Sequence, residues 1–196
     1  MKLKLATIIL AGQLMVASNA VAAKAVLAGG CFWCMEADFE KLDGVTDVIS
    51  GFTGGTLKDP TYNGSHEGHV EAVEITYNPD KISYEKLLDY YWVHIDPFDD
   101  QGQFCDKGSS YLSAIFVANE NERKIAEESK RKVAEQFPGK TIVTPILDAS
   151  VFYPIKGEES YHQDFYKKSP VRYKFYRWNC GRDQRLKEIW GAKASH

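Results

Sequence analysis

The sequence is short of several things, and each shortage excludes a class of function. It has no block of lysine or arginine: 24 basic residues stand against 27 acidic ones, a net charge of −3. That balance leaves no electrostatic footprint for nucleic acid. It has no apolar run long enough to span a bilayer comfortably; the longest, "LATIILAGQLMVAS", is interrupted by Gln13. It has no low-complexity segment, no internal repeat and no Pro/Ser-rich linker. Its 196 residues, 44% hydrophobic, therefore read as one domain around one core. Cysteine is sparse, with only Cys31, Cys34, Cys105 and Cys180. Two of these form a Cys-x-x-Cys, but no second pair and no histidine at ligand spacing complete a zinc site. Met35 stands where covalent haem attachment needs histidine. "AGGC" faintly resembles a lipobox, yet the apolar run ends near Val16, far upstream of Cys31. His66 and His69 sit among glycines and Glu67, which reads as a solvated loop; no metal is expected.

The first residues carry a different signal. "MKLK" is a short positive start, an apolar stretch follows, and "SNAVAA" supplies small residues. That order marks a secretory signal peptide over residues 1–23, leaving a single domain over 24–196. Export, to a periplasm, places the thiols in oxidising surroundings where they can pair. No stable membrane insertion is expected once the leader is removed.

Along the domain, "AVLA" (Ala25–Ala28) reads as a short buried strand and Gly29-Gly30 as a tight turn. A helix follows from about Cys31, with Met35, Phe39 and Leu42 as its apolar stripe; Glu36, Asp38, Glu40 and Lys41 cover much of the rest. "VTDVISGFTGG" and "HVEAVEITY" read as strands, and "SYEKLLDYYWVHIDP" as a helix from an N-cap at Ser83 to Pro97. "SSYLSAIFVA" reads as a strand. "NENERKIAEESKRKVAEQF" is a charged helix with Asn119 and Glu122 as a capping-box-like start. "TIVTPIL" is an edge strand because of Pro145. "EESYHQDFYKKS" and "GRDQRLKEIW" read as short helices. The mixed order predicts a two-layer α+β domain, with helices packed on one mixed sheet.

Chemistry gathers at the first helix. Cys31 follows a strand and a Gly-Gly turn and opens a helix, where free N–H groups and the helix dipole favour a thiolate. The glycines also let another molecule approach the sulfur, the setting of a nucleophilic cysteine. In "HVEAVEITY", alternation puts Glu71 on one face with His69, Val73, Ile75 and Tyr77. A carboxylate on an apolar face is destabilised when ionised, so its pKa rises and a neutral Glu71 can serve as general acid. The bland alternative is a wet strand end. Tyr111 shares a strand face with Ser113, Ile115 and Val117, and Tyr62 follows Pro60 in a loop; both are candidate hydroxyl donors. Two other readings compete: a thioredoxin-like dithiol oxidoreductase, which also opens a helix with Cys-x-x-Cys, and a disulfide-stapled binding domain.

Six blocks, "GGCFWCMEADFEKLDGV", "GFTGG" with "PTY", "GHVEAVEITYNP", "ISYEKLLDYYW", "DPFDDQGQFCDKGSSYLSAIF" and "YHQDFYKKSP", together resemble the A-type peptide methionine sulfoxide reductases, in the same order, over roughly Val26 to Pro170. The resemblance implies a ferredoxin-like α+β core and reduction of methionine S-sulfoxide, free or in oxidised proteins. It implies Cys31 as nucleophile, Phe32 and Trp33 as the apolar wall for the substrate's S-methyl group, and Glu71, Tyr62 and Tyr111 as donors to the sulfoxide oxygen. Asp106 would help bind substrate. A sulfenic acid on Cys31 would condense with a second thiol, and an external dithiol of thioredoxin type, not a bound cofactor, would reopen the disulfide. Many relatives have glycine at the position of Cys34 and resolve with a C-terminal cysteine. Cys34 and Cys180 are therefore both candidates, Cys34 being preferred for its place in the first helical turn. Cys105 reads mainly as packing. A monomer is expected.

Overall fold

The structure is a computed structural model and describes residues 21–194. The expected leader lies almost wholly outside these residues; Ala23, its last position, already pairs with Tyr77 in the first strand. Strand β1 (Ala23–Gly29) leads into helix α1 (Phe32–Phe39), then β2 (Val45–Thr53), β3 (Val70–Tyr77) and α2 (Tyr84–Trp92). A two-residue hairpin, β4 (Gly102–Gln103) and β5 (Asp106–Lys107), precedes β6 (Ser113–Val117). Helix α3 (Glu120–Gln136) and the short strands β7 (Ile146–Asp148) and β8 (Tyr153–Pro154) follow. The chain closes with α4 (Phe165–Lys168), α5 (Pro170–Asn179) and α6 (Arg182–Trp190). The main sheet runs β7-β6-β1-β3-β2-β8; only β6 and β7 pair in parallel, so the sheet is mixed as expected.

Local chemistry sets these bounds. Ser83 caps α2 by accepting from the Lys86 N–H at 3.2 Å. Asn119 caps α3 by accepting from the Glu122 N–H at 3.0 Å, while Glu122 reaches back to the Ala118 N–H at 2.8 Å. Pro145 has no N–H to give, but its carbonyl accepts from the Ile115 N–H, which fits the edge position of β7. Alternation sends Leu27, Val73, Ile75 and Ile115 under the helices. There they meet Met35, Phe39, Leu88, Tyr91 and Trp92 in the main core. Ala28, Ala72, Ala114 and Phe116 form a thinner cluster on the opposite face.

Five expectations change. The long helix drawn to Pro97 stops at Trp92. Tyr111 does not lie on β6; it ends a 3-10 turn, Ser109–Tyr111, that precedes the strand. "EESYHQDFYKKS" is not one helix, because Asp164 adopts a left-handed φ of 55° between a 3-10 turn (Gly157–His162) and α4. Helix α5 was not anticipated; Pro170 starts it. Glu36 and Asp38, expected on the solvent face of α1, are 1% and 0% exposed because this C-terminal segment covers them. Arg177 of α5 binds Asp38 through two hydrogen bonds, at 2.8 and 3.0 Å. Glu36 accepts from the Ser50 hydroxyl at 3.2 Å and the Asp164 N–H at 2.9 Å.

Candidate active site

Helix α1 begins one residue after Cys31, so the cysteine occupies its N-cap position. The glycines before it serve packing rather than access. A Cβ on Gly29 would lie 2.4 Å from Met35 Sδ, and one on Gly30 would lie 2.5 Å from Gln103 Cβ. Gly30 also has a φ of 79°, which favours glycine. The turn therefore seats α1 tightly on the sheet and on β4.

The first free N–H of the helix is not spent on the sulfur. Phe32 N–H donates to Glu71 Oε2 at 3.0 Å. Glu71 is 2% exposed, so the wet-strand alternative does not hold. Burial pushes its carboxyl up to about 8, against the pull of the Phe32 N–H; the charges of Asp106 and Cys34 add to the rise. Glu71 is thus mostly protonated at neutral pH and can give a proton.

Cys31 and Cys34 are both free thiols and both buried. Burial pushes the Cys31 thiol well above its ordinary value, and Cys34 and Glu71 push the same way. That reverses the thiolate expected at a helix start, because desolvation outweighs a dipole whose first N–H is already taken. Cys34 moves the other way: a hydrogen bond from Cys31 lowers it first, and the guanidinium groups of Arg182 and Arg177 lower it further. Of the two thiols, Cys34 is the one whose ionised form these groups favour, against the opposing effect of burial. The Tyr176 hydroxyl reaches Cys31 as a hydrogen-bond partner and donates to Asp106 Oδ2.

Around the sulfur stand the expected aromatic and hydroxyl groups. Phe32 is buried against Tyr62 and Phe52, each ring centroid 6.0 Å away. Trp33 stacks on Phe165 at 3.9 Å and donates its Nε1–H to His162 Nδ1 at 3.0 Å. Tyr62 is half-buried; its loop is pinned by Glu159, which accepts from the Tyr62 and Asn63 N–H groups at 2.8 Å each. Burial pushes the Tyr62 hydroxyl up to about 12, and the fields of Glu71 and Cys31 reach it. Tyr111 is raised by burial, then by Glu71, Tyr62, Asp106 and Cys31. Contacts join part of this set directly: Glu71 holds the N–H of the residue after Cys31, Tyr62 packs on Phe32, and Tyr176 bonds Asp106. Glu71, the two phenols and Cys31 stay un-ionised near neutral pH, and burial raises Asp106 as well.

Three participants had no assigned role in the sequence reading. His162 holds the Trp33 indole, and burial lowers its pKa so that it stays neutral. Tyr176 and Arg177 come from α5, whose helix was not anticipated. Two cysteine calls also change. Cys105 is exposed rather than packed, and it is bonded to Cys180 in a disulfide. Cys180 is therefore not a free thiol in this state. Among the described residues, two clusters bring three metal-ligating side chains together. One is this disulfide with Asp106. The other, Glu36, Glu40 and Asp164, is occupied by Lys167, Tyr166 and a backbone N–H.

The profile of the family described as "Peptide methionine sulfoxide reductase" matches residues 23–194. The chain belongs to that family. The reductase is 50% identical over 173 residues to "Peptide methionine sulfoxide reductase MsrA" of Bacillus licheniformis, covering 86% of this chain and 94% of that one. It is 49% identical over 170 residues to "Peptide methionine sulfoxide reductase MsrA 2" of Caulobacter vibrioides, covering 85% of each. Against "Peptide methionine sulfoxide reductase MsrA/MsrB" of Vibrio cholerae it is 45% identical but spans only 45% of that longer protein. Among solved structures, methionine sulfoxide reductase A of Corynebacterium diphtheriae superposes with a TM-score of 0.65 at 30% identity, covering 76% of each chain. Reduced Mxr1 of Saccharomyces cerevisiae superposes with a TM-score of 0.68 at 26% identity, covering 76% of this chain and 87% of that one. The reductase is an oxidoreductase of the peptide-methionine (S)-S-oxide class, acting on methionine sulfoxide.

Proposed function

We propose the following division of labour for that reaction. The observation that carries it is the burial of Glu71 beside the N-terminus of α1, with Phe32 N–H on its Oε2 at 3.0 Å. A sulfoxide oxygen leaves poorly unless protonated or strongly polarised. Glu71 protonates it while Tyr62 and Tyr111 donate hydrogen bonds, in surroundings dry enough to make those bonds strong. Cys31 takes the oxygen: its sulfur gains an S–O bond, the sulfoxide loses one, and two electrons pass to the methionine sulfur. The proton that Cys31 gives up restores Glu71. Phe32 and Trp33 hold the S-methyl group, and Asp106, fixed by Tyr176, positions the rest of the substrate.

Cys34 then attacks the sulfenic sulfur of Cys31. An S–S bond forms, the S–O bond breaks, and the oxygen leaves as water with a solvent proton. An external dithiol of thioredoxin type opens the disulfide by exchange. One observation favours a second route: Cys180 Sγ lies 3.9 Å from Asp106 Oδ2, and Tyr176 links Asp106 to Cys31. Cys180, once reduced, would then compete with Cys34. Trapping the first disulfide and mapping its peptides decides between them; a Cys31–Cys180 product overturns the assignment of Cys34.

The scaffold is read as ferredoxin-like on the succession β1-α1-β2-β3-α2-β6 and the spatial order β6-β1-β3-β2 of its four central strands. Export to a periplasm rests on the N-terminal sequence pattern alone. The central test offers both sulfoxide diastereomers with dithiothreitol to the parent and to Cys31→Ser. Loss of the S form only, abolished by the substitution, is expected; turnover of the R form alone refutes the reading.

A further inference from the structure

Helix α5 has two apolar faces, and only one of them is covered. Its inner face seats Tyr173 against Cys31, Cys34 and Phe165, with Tyr176 packed beside them. Arg177, on the same side, is held by Asp38 at 2.8 Å. The outer face carries Val171, Phe175 and Trp178, which are 80%, 64% and 74% exposed. Their spacing is i, i+4 and i+7. At about 100° per residue the three side chains fall within an arc of about 60°, opposite Tyr173 and Arg177. The Phe175 and Trp178 rings lie 6.1 Å apart. Among the described residues they are the only exposed Phe and Trp side chains.

A contiguous exposed stripe of this kind marks a surface that something else covers. The charge around it names the occupant. From Phe165 to Asn179 the chain has five basic residues and no acidic one, although the whole chain carries −3. Lys167 and Arg177 are engaged by carboxylates. Lys168 donates to the Ser160 carbonyl at 3.2 Å. Arg172 and Lys174 are exposed and flank the stripe, one on each side; among the described residues neither has an ion pair. Asp183, which shares the hollow beside Trp178 with Lys174, is already bonded to Arg177 at 2.6 Å. Three side chains offer roughly 400 Å², about half of what each partner gives to a stable protein interface. A second copy would also set Arg172 and Lys174 against themselves. A lipid surface suits both features: the basic rim meets anionic headgroups while Trp and Phe settle at the headgroup–acyl boundary. We propose that α5 is a membrane-interface seat, docking the reductase on a bilayer surface that bears anionic headgroups. No helix among the described residues is long and apolar enough to cross a membrane; one short stripe with a basic rim gives shallow, reversible contact. Because the inner face of α5 covers the cysteine pair, docking sets Cys31 and Cys34 about one helix diameter, roughly 10 Å, from the headgroups. Methionine sulfoxides of proteins lying on the same surface are the substrates that this position favours.

Vesicles of phosphatidylcholine with and without phosphatidylglycerol test this on the full chain. Trp178 is the built-in reporter, because Trp92 and Trp190 are buried and Trp33 is stacked on Phe165. Anionic vesicles at low salt should shift the tryptophan emission to the blue and carry the protein down on sedimentation. Pure phosphatidylcholine should bind about tenfold more weakly or less, and salt at about 0.5 M should remove most of that difference. Phe175→Ser with Trp178→Ser should weaken binding to anionic vesicles by about tenfold or more, and Arg172→Gln with Lys174→Gln by about tenfold. All four positions are exposed, so both variants should keep the parent's Tm and turn over free methionine sulfoxide within about twofold of its rate. An emission spectrum unmoved by anionic vesicles overturns the proposal, even where the apolar N-terminal segment carries the protein down. So does equal binding to the two kinds of vesicle, or binding unchanged by Phe175→Ser with Trp178→Ser. A concentration-dependent dimer abolished by that same pair, without vesicle binding, overturns it by assigning the stripe to a second copy.

Discussion

Replacing Glu71 by glutamine tests the mechanism and the electrostatics in one experiment. Glutamine keeps an oxygen to accept from Phe32 N–H, so the local fold is retained, but it has no proton to give. The carboxyl binds its proton up to about pH 8 in the folded chain, against an ordinary value of 4.5. Between those values the folded state holds a proton that the unfolded state has lost. Stability therefore falls as pH rises, by about 1.4 kcal/mol per pH unit. The contribution is fully present below 4.5 and gone once pH passes about 8. Relative to Glu71→Gln, the parent should lose up to about 4 kcal/mol of stability between mildly acidic and mildly alkaline pH. Urea unfolding of both proteins across that range measures the difference directly. Other groups titrate alike in the two chains and cancel, Glu36 at about 7 among them. Activity supplies the second readout. The step forming sulfenic acid should slow by about 10²- to 10⁴-fold in Glu71→Gln, with little change in substrate binding. The parent's rate should decline above about pH 8, and the variant's should lack that limb. A stability difference independent of pH, or an unchanged single-turnover rate, would refute the assignment.

Other expectations follow from the same contacts. Tyr62→Phe and Tyr111→Phe should each slow sulfenic acid formation by about 10- to 100-fold; quench-flow detection of methionine checks this, and unaltered rates remove the phenol concerned. Trp33→Ala should destabilise the fold by about 3 kcal/mol and raise KM, because the indole both stacks on Phe165 and bonds His162. Glu36→Ala leaves the Ser50 hydroxyl and the Asp164 N–H without their acceptor, a loss of about 1–3 kcal/mol by denaturant titration. Replacing both Cys105 and Cys180 by serine releases a cross-link between residues 75 apart in sequence. Chain-entropy arguments put its worth at up to about 4 kcal/mol, visible as a lowered Tm.

The residues proposed for the chemistry were legible because they lie close together in sequence or on one strand. Cys31, Phe32 and Trp33 are contiguous, and the Gly-Gly turn before them announces a helix start. Glu71 was legible from period-two alternation, since a strand has few ways to hide a carboxylate by accident. Tyr111 was read as a strand residue, but it ends a 3-10 turn, Ser109–Tyr111, ahead of β6, and strand alternation does not apply there. The ionisation of Cys31 was misread because a helix dipole is visible in sequence, whereas burial by a distant segment is not. The same blindness put Glu36 and Asp38 in solvent. Their partners, Asp164, Arg177 and Arg182, are more than a hundred positions away, and nothing in the periodicity of α1 reports them. The Cys105–Cys180 bond was hidden for the same reason, its two ends being unremarkable until the tail folds back.

The reach of that tail bears on how the reductase acquires its chemistry during folding. The contact between Arg177 and Asp38 closes a sequence separation of 139 residues, and that between Arg182 and Gly29 one of 153. Loop closures of that span come late, after hairpins and local helices have formed. The paired strands β2 and β3 can stand, and Cys31 can already cap its helix, while Cys34 still lacks both guanidinium groups and both sulfurs face water. In that interval the pair is an ordinary exposed dithiol, open to any oxidant. Docking of the C-terminal helices, with Phe165, Tyr173 and Tyr176 against the two cysteines, is the event that takes it out of water.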